Sequence, residues 1–189
     1  AVYIDLTKDR LYCDAGDSRR RLASQTAMNA VVEALAKLLA PILAYTAEEA
    51  WEHSGREGSV HEQDFPVPDE RFAGREATAE VDQLLELRGV IQTAIEAQVQ
   101  AKAFNKNNEA AVELALPAGH PLRDHLKDRD FATEFFIISD LKLVEGPEVS
   151  ATARKTEYRM CPRCRRYEPL EEESGLCVRC GDVLRGGGS

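Results

Sequence analysis

Two Cys-x-x-Cys pairs near the end of the chain are the residues best suited to chemistry. They are Cys161-Pro-Arg-Cys164 and Cys177-Val-Arg-Cys180, separated by twelve residues. Each pair forms a tight turn that brings two sulfurs together, and the spacer is long enough to run out, turn and return. Four thiolates that face each other in this way match a tetrahedral structural zinc site. Two disulfides are the alternative, which a reducing compartment disfavours.

The surroundings of the cysteines indicate binding rather than catalysis. Four protein ligands leave no open position on a metal, so one zinc would hold structure and activate no water. A small platform that carries arginines and an aromatic ring can contact phosphates and stack on an unpaired base. The alternative is that the arginines are only solvated. The candidate nucleic-acid contacts here are Arg163, Arg165, Arg166, Tyr167 and Arg179.

Charge is unevenly distributed along the chain. The 189 residues carry a net charge of −9, which argues against a generally basic nucleic-acid coat. Residues 151–189 nevertheless hold eight Lys and Arg against six Asp and Glu, whereas the rest holds 16 against 27. Any contact with RNA should therefore be local. Arg19-Arg20-Arg21 adds a second basic cluster, at a predicted helix N-terminus where cations oppose the helix dipole.

A catalytic set is missing from the sequence. The four histidines are scattered, and none stands beside a Ser or Cys in a nucleophile motif. No phosphate-cradling Gly-rich loop occurs, and His61 near Glu62 and Asp64 is interpreted as structural. No apolar run reaches transmembrane length and no secretory signal is present. The expected location is the cytoplasm, with Cys13 as a small buried or half-buried residue.

The first half of the chain is predicted to be helical. Residues 2–12 resemble the end of a helix, and apolar spacing predicts another from the Ser18 cap to about residue 40. Thr46 and Glu49 suggest a capping box for a short helix to about His53, with Trp51 packed inward. Residues 60–68 are expected to form an extended connector.

The second half predicts a small α/β piece. A long helix over 77–104 is followed by a half-buried strand at 111–116 and short helices at 121–127 and 130–138. Residues 141–144 read as a second strand, and 146–152 as a linker to the cysteine ribbon. The Gly-rich end, 186–189, is expected to be a flexible tail.

Several runs together resemble one family. Leu39–Trp51 (LAPILAYTAEEAW) is similar to a segment of the anticodon-binding region of class I aminoacyl-tRNA synthetases. Asp5–Cys13 (DLTKDRLYC) and the terminal cysteine pairs resemble bacterial-type isoleucyl-tRNA synthetases. Two positions depart from the family pattern: Asn107–Ala110 replaces a Gly-Ser-Leu-Glu-Ala turn, and Arg165 stands where an aromatic residue is common. Any stacking role would then rest on Tyr167.

The resemblance implies the fold class: mainly α with a small α/β piece, formed by a partial helical anticodon-binding bundle, an α/β junction and a C-terminal zinc ribbon with four cysteine ligands. The implied domains are the end of the bundle (1–58), a connector (59–76), a helix with the junction domain (77–146), the ribbon (147–185) and a tail (186–189).

The resemblance also implies a role in recognising the anticodon stem-loop of isoleucine tRNA, with Arg19 and Arg20 among the contacts. The family's catalytic signatures are absent, so ATP and Mg²⁺ would bind only in a catalytic domain outside this chain. The alternative is a stand-alone zinc-ribbon module that binds a protein or nucleic acid. Neither membrane nor DNA binding is expected, and an incomplete bundle could self-associate through its exposed apolar face.

Overall fold

The computed structural model describes residues 2–70 and 74–186, which form two compact units. The first unit is Ala1–Asp14 together with Arg75–Ser189, and the second is Ala15–Gly74. The described residues are mainly helical, with a small mixed sheet and a cluster of four cysteines, which confirms the predicted fold class. The domain bounds inferred from the sequence remain predictions. None of the helices in the described ranges is long and apolar enough to cross a membrane.

Helix α1 (Val2–Cys13) belongs to the first unit although 60 residues separate it from the rest of that unit. Its one buried residue is Thr7, whose hydroxyl donates to the Tyr3 carbonyl. Val2, Tyr3, Ile4 and Tyr12 are exposed. An apolar stripe therefore cannot be what holds this helix in place.

The second unit is built around Trp51. Helices α2 (Arg19–Leu39) and α3 (Ala44–His53) and a 3₁₀ turn (Val60–Glu62) surround its ring, which is 4% exposed. The Arg56 guanidinium lies 5.1 Å from the ring centroid. Cation–π attraction of this kind adds about 0.5–2 kcal/mol to the burial of the ring. The small residues Ala36, Ala40 and Ala47 let the helices approach closely around it.

The predicted capping box in this unit is wrong. Helix α3 begins at Ala44 with Leu43 at the N-cap, so Thr46 and Glu49 lie inside the helix. The carboxylate that does cap is Glu48, which accepts from the Val60 backbone N–H at 3.0 Å. Glu48 thus stabilises the following 3₁₀ turn, where an extended connector had been expected.

The apolar face of α2 is largely exposed. Ser18 occupies the N-cap position, and the helix extends close to the predicted end at residue 40. Seven large apolar side chains of α2 and the turn after it are at least 41% exposed: Leu22, Val31, Val32, Leu35, Leu38, Ile42 and Leu43. The regular spacing was predicted correctly, but about half of the surface of these side chains remains exposed within the described residues.

The first unit centres on a three-stranded sheet beneath helix α4 (Arg75–Gln100). Strand β1 (Ala110–Leu116) lies in the middle, parallel to β2 (Asp140–Glu145) and antiparallel to β3 (Ser150–Lys155). Helix α5 (Arg129–Phe136) connects β1 to β2, as a parallel pair requires. Val112 pairs with Leu141 on one side and Ala153 on the other.

A single apolar core joins the two helices and the sheet of the first unit. Ile91 and Ile95 of α4 are at most 1% exposed and pack with Leu114 and Phe136. Arg88 of α4 donates to the Phe135 carbonyl at the end of α5. Val112, Leu114 and Leu116 of β1 are buried, whereas Glu113 is exposed and Ala115 is half-buried, which confirms the predicted half-buried strand.

Three predicted bounds in this unit change. Helix α4 ends at Gln100 instead of Phe104, and a left-handed Lys102 (φ 60°) follows. The helix expected over 121–127 reduces to a 3₁₀ turn, His125–Lys127. Residues 150–152, which were predicted to belong to a linker, are the first residues of strand β3. The strand was not predicted because polar residues alternate with alanine along it.

The cysteine region contains a short hairpin and a helix. Strands β4 (Arg159–Met160) and β5 (Tyr167–Glu168) pair antiparallel around the first cysteine pair. The second pair lies at the start of helix α6 (Val178–Gly186), an element that the sequence analysis did not predict. Gly186 is the last residue of α6 and not part of a tail, while the rest of the predicted tail, 187–189, lies outside the described residues.

Candidate metal centre

The sulfur atoms of the four cysteines that were predicted to bind a metal lie close together. The sulfurs of Cys161, Cys164, Cys177 and Cys180 all lie within 4.8 Å of one another, and three of the four residues are buried. The Cys164 and Cys177 sulfurs are 3.7 Å apart, and all four thiols are free. Four ligands at the usual Zn–S distance place neighbouring sulfurs about 3.8 Å apart, whereas a disulfide needs about 2.05 Å. The donor set therefore fits a tetrahedral metal ion.

Two local structures position the sulfurs. After the first pair the chain turns back through Arg165, whose N–H donates to the Cys161 carbonyl at 2.8 Å while its φ is 60°. The second pair begins α6, with the Gly181 N–H donating to the Cys177 carbonyl at 3.0 Å. A helix N-terminus favours negative charge, which suits thiolate ligands.

The thiols differ in how readily they lose a proton. Burial raises the pKa of Cys161, but backbone N–H groups of Cys164, Cys177 and Arg163 point at its sulfur and together lower that pKa to about 6. Burial raises the pKa of Cys177 to about 11. The pKa of Cys164 is also raised, first by burial and then by the neighbouring cysteines. Without a metal, a thiolate therefore forms first at Cys161.

Two of the predicted RNA-contacting arginines bind both the cysteine cluster and helix α1. Arg163 donates to the Cys180 sulfur at 3.3 Å and to the Cys13 carbonyl at 2.6 Å. The Arg179 guanidinium clasps both carboxylate oxygens of Asp9 and reaches Asp14 at 3.2 Å. Burial lowers the pKa of Arg179, yet the Asp9 carboxylate and, after it, Cys164 more than compensate and raise it. The cluster is thus surrounded by cations that can balance thiolate charge.

Arg166 connects the cysteine region to the body of the first unit. Its guanidinium contacts Glu168 at 3.1 Å, the Thr133 hydroxyl of α5 at 2.7 Å and Asp9 at 3.5 Å. Arg129, at the start of α5, holds the other carboxylate oxygen of Glu168 at 3.0 Å and Asp140 at 3.0 Å. The ribbon is therefore fixed to α1, α5 and β2 through charged groups.

The remaining candidates in the ribbon face outward. Arg165 is exposed, and in the described part of the chain its guanidinium has no ion-pair partner. Tyr167 is half-buried and lines a small cleft with Asn108, Ile137 and Leu6. The Asn108 amide donates to the Arg165 carbonyl at 3.1 Å, which ties this edge of the cleft to the first cysteine turn.

The basic cluster of the second unit lies in the first turn of α2. Arg19 is exposed and Arg20 is half-buried. His61, interpreted as structural, has its Nε2 3.3 Å from the Ala44 carbonyl oxygen. Among the described residues, the four cysteines are the one group of three or more His, Cys, Asp or Glu side chains that could hold a metal.

Sequence reasoning missed the acidic partners of the arginines. Asp9 and Asp14 were visible only as parts of a family motif and a helix end, and they precede Arg179 by 170 and 165 residues. No local pattern signals such a pairing. The charge imbalance did offer a hint, because a basic cysteine region in an acidic chain has internal partners available.

Comparison with known proteins gives matches along nearly the whole chain. A family model described as the anticodon-binding domain of tRNA ligase matches residues 1–114. The isoleucine–tRNA ligase of Symbiobacterium thermophilum is 35% identical over 97% of this chain and 22% of its own length. Those of Methylacidiphilum infernorum (33%, over 98% and 21%) and Aquifex aeolicus (34%, over 97% and 21%) are similarly related. The chain spans about a fifth of the length of these relatives.

Proposed function

From the premise that this chain belongs to the anticodon-binding domain family of tRNA ligases, we propose that it recognises the anticodon stem-loop of isoleucine tRNA. In this role it positions the tRNA for aminoacylation by other parts of an isoleucine–tRNA ligase, in the cytoplasm. The observation that carries the proposal is similarity to isoleucine–tRNA ligases over 97–98% of the chain, through both the second unit and the cysteine region. ATP and Mg²⁺ belong to the catalytic part of such a ligase.

The candidate contacts divide by accessibility. Arg19 and Arg165 are exposed, so they can approach phosphates without breaking an internal bond seen in the described residues. Arg20 and Tyr167 are half-buried, and Tyr167 offers a ring for stacking beside the cleft. Arg163, Arg166 and Arg179 already bind carboxylates, hydroxyl or carbonyl groups. In our proposal these three reach RNA with their remaining N–H groups while they hold the ribbon.

The metal in this proposal is one structural zinc ion. The four sulfurs would hold it in a closed site, and it would supply rigidity to a region whose own core is small. That core consists of the buried cysteines with Leu170 and Leu176 packed against them. The residues of the chain do the binding, and the metal keeps Arg165 and Tyr167 in a fixed arrangement.

Direct binding measurements test the proposed function. The zinc-loaded chain would be titrated with an isoleucine tRNA anticodon stem-loop, a stem-loop with a changed anticodon, and a DNA duplex over a salt series. We expect preference for the isoleucine anticodon and a weak, strongly salt-dependent interaction with DNA. Equal binding to all three would reduce the function to electrostatic attraction. Binding to none would favour the rival, a zinc-dependent protein-interaction module.

Replacing Arg165 by Gly should separate stability from RNA binding. Gly adopts φ 60° without the strain that Arg165 bears, so the zinc-loaded ribbon should be stabilised by up to about 1 kcal/mol. Loss of one phosphate contact should lower the slope of log affinity against log salt by about one unit. Urea-induced zinc release and RNA titrations measure the two effects. Unchanged affinity and slope would remove Arg165 from the contact set, and Arg165→Lys serves as the charge-preserving control.

Zinc affinity should rise steeply with pH. Cys164 and Cys177 are thiols at neutral pH because both pKa values are raised, so binding must expel at least two protons. Apparent affinity should therefore increase roughly 100-fold per pH unit near neutrality and fall by the same factor on acidification. Competition against a chromophoric chelator at several pH values measures the slope. A tenfold change per unit or less would contradict the assigned protonation states.

The exposed apolar face of α2 supports a second proposal, self-association of this chain. Leu35 and Leu38 are 49% and 50% exposed on one helix. The double change Leu35→Glu with Leu38→Glu should shift a dimer toward monomer, as sedimentation equilibrium would report. Leu184→Glu, which alters an apolar residue exposed on α6 outside the cysteine turns, is the matched control. A wild-type chain that is monomeric at all concentrations would refute self-association.

A further inference from the structure

Helix α1 is held to its unit by charged and polar groups that come mainly from the cysteine region. Asp9 accepts from Arg179 and Arg166, and the Cys13 carbonyl accepts from Arg163. A fourth anchor, the ion pair of Arg10 with Glu134 of α5, lies outside the ribbon. The docking of α1 therefore depends on where the ribbon holds its arginines.

Two of these arginines also contact the metal ligands. Arg163 donates to the Cys180 sulfur while it holds the Cys13 carbonyl, and Arg179, which holds Asp9, is the residue directly before Cys180. Cys164 belongs to the first turn and Cys180 to the second. Arg163 lies in the first turn and Arg179 in the second, so each turn contributes a guanidinium that anchors α1, in addition to Arg166.

A bound metal ion would act on the cysteine end of these bridges in two ways. A divalent ion with four thiolates carries a net charge of about −2, which attracts the two guanidinium groups more strongly than neutral thiols do. The metal also joins the two cysteine turns, which fixes the separation of Arg163 and Arg179. Without it, the turns lose their common centre and the two arginines lose their fixed spacing.

We propose that Arg163 and Arg179 are positioning residues that couple metal occupancy of the four cysteines to the docking of helix α1. The proposal rests on the zinc site proposed above but not on RNA binding. Asp14, the last residue of the first unit's opening segment, accepts from Arg179, and α2 with Arg19 and Arg20 begins five residues later. Metal occupancy thereby controls the anchoring of the segment that leads into the second basic cluster.

Hydrogen–deuterium exchange of residues 2–13 tests the coupling directly. Removing zinc with a chelator should raise α1 exchange by about 5- to 150-fold, the usual range of coupling between two sites. Residues 87–95 of α4, within the apolar core, should change little and serve as the internal reference. Zinc content is measured by native mass spectrometry in the same samples. Equal α1 exchange with one zinc and with none would overturn the proposal, as would a folded chain that binds no zinc.

Three variants separate coupling from a general structural effect. Asp9→Asn should make α1 exchange fast with zinc bound and, because coupling is reciprocal, weaken zinc binding by the same factor. Asp9→Glu, which keeps the carboxylate, should restore much of the zinc dependence. Arg185→Gln is the matched control, because Arg185 pairs with Glu171 and Asp182 of the ribbon itself. A loss of zinc dependence in Arg185→Gln equal to that in Asp9→Asn would refute the specific role.

The outcome is independent of the proposed tRNA role. The exchange and zinc measurements contain no RNA, so a failed anticodon titration leaves them interpretable. If both hold, Asp9→Asn should also weaken stem-loop binding, whereas Arg185→Gln should not.

Discussion

Cys161→Ser is expected to weaken zinc binding roughly a thousandfold and to unfold the cysteine region, while the apolar core of the first unit and the second unit stay folded. Cys161 is completely buried, and its thiol has the lowered pKa that makes it the first thiolate. A serine hydroxyl remains protonated at neutral pH and is a poor ligand for zinc. Structural zinc binding is worth about 10–16 kcal/mol, so losing one of four ligands should cost roughly a thousandfold in affinity.

Two signals show whether the effect of Cys161→Ser is confined to the cysteine region. Zinc release reports the ribbon, and the fluorescence of Trp51, the chain's single tryptophan, reports the second unit. We expect the variant to release its zinc at a much lower urea concentration, and the urea midpoint of the Trp51 signal to stay unchanged. Cys13→Ser is the matched control, because Cys13 lies outside the four-sulfur cluster and should leave zinc stoichiometry at one. A zinc affinity of Cys161→Ser within tenfold of that of the wild-type chain would refute the four-thiolate assignment.

The parts of this protein that local sequence determines were predictable. The cysteine spacing predicts the four-sulfur cluster because two short turns must each bring their own sulfurs together. Helices α2 and α4 follow from apolar spacing, and β1 and β2 follow from their alternating Val and Leu residues. Each of these signals is contained within a short local stretch of the chain.

The failures come from interactions between distant segments. Strand β3 was taken for a linker because its exposed edge needs few apolar residues, and its strand conformation depends on pairing with β1. The Thr46–Glu49 pattern matched a capping box, but a turn in which the Leu43 N–H donates to the Leu39 carbonyl starts α3 earlier. Helix α6 was missed because its start lies between metal ligands and not after an N-cap residue.

The arginines show that residues of one sequence cluster can have different contacts in the folded chain. Arg163, Arg165, Arg166 and Arg179 form one basic cluster in the sequence, yet their surroundings differ. Arg165 faces outward because the turn after Cys164 turns it away, whereas Arg179 meets Asp9 from a helix 170 residues earlier. Internal pairing also explains how a region with net charge +2 can fold against an acidic chain without strong repulsion.

Arg179→Leu should destabilise the zinc-loaded first unit by about 2–3 kcal/mol, somewhat less than the full cost of breaking a buried ion pair. The guanidinium contacts three carboxylate oxygens of Asp9 and Asp14, and the Asp14 side chain is 5% exposed. Leucine fills part of the volume but leaves both carboxylates without this cation. The loss is reduced because the Arg179 side chain itself is 25% exposed.

Zinc release during urea unfolding, at saturating zinc, measures this loss. It reports the unit that holds the cysteines, whereas Trp51 fluorescence reports the other unit. Arg185→Leu is the control, because its ion pairs with Glu171 and Asp182 lie on the surface and its side chain is 57% exposed. It should shift the midpoint far less, since solvent and salt screen such pairs. Equal shifts for the two variants would mean that the clasp on Asp9 and Asp14 contributes no more than an ordinary surface pair. A larger shift for Arg179→Leu that persists at high salt identifies the clasp as a partly buried bond between the ribbon and α1.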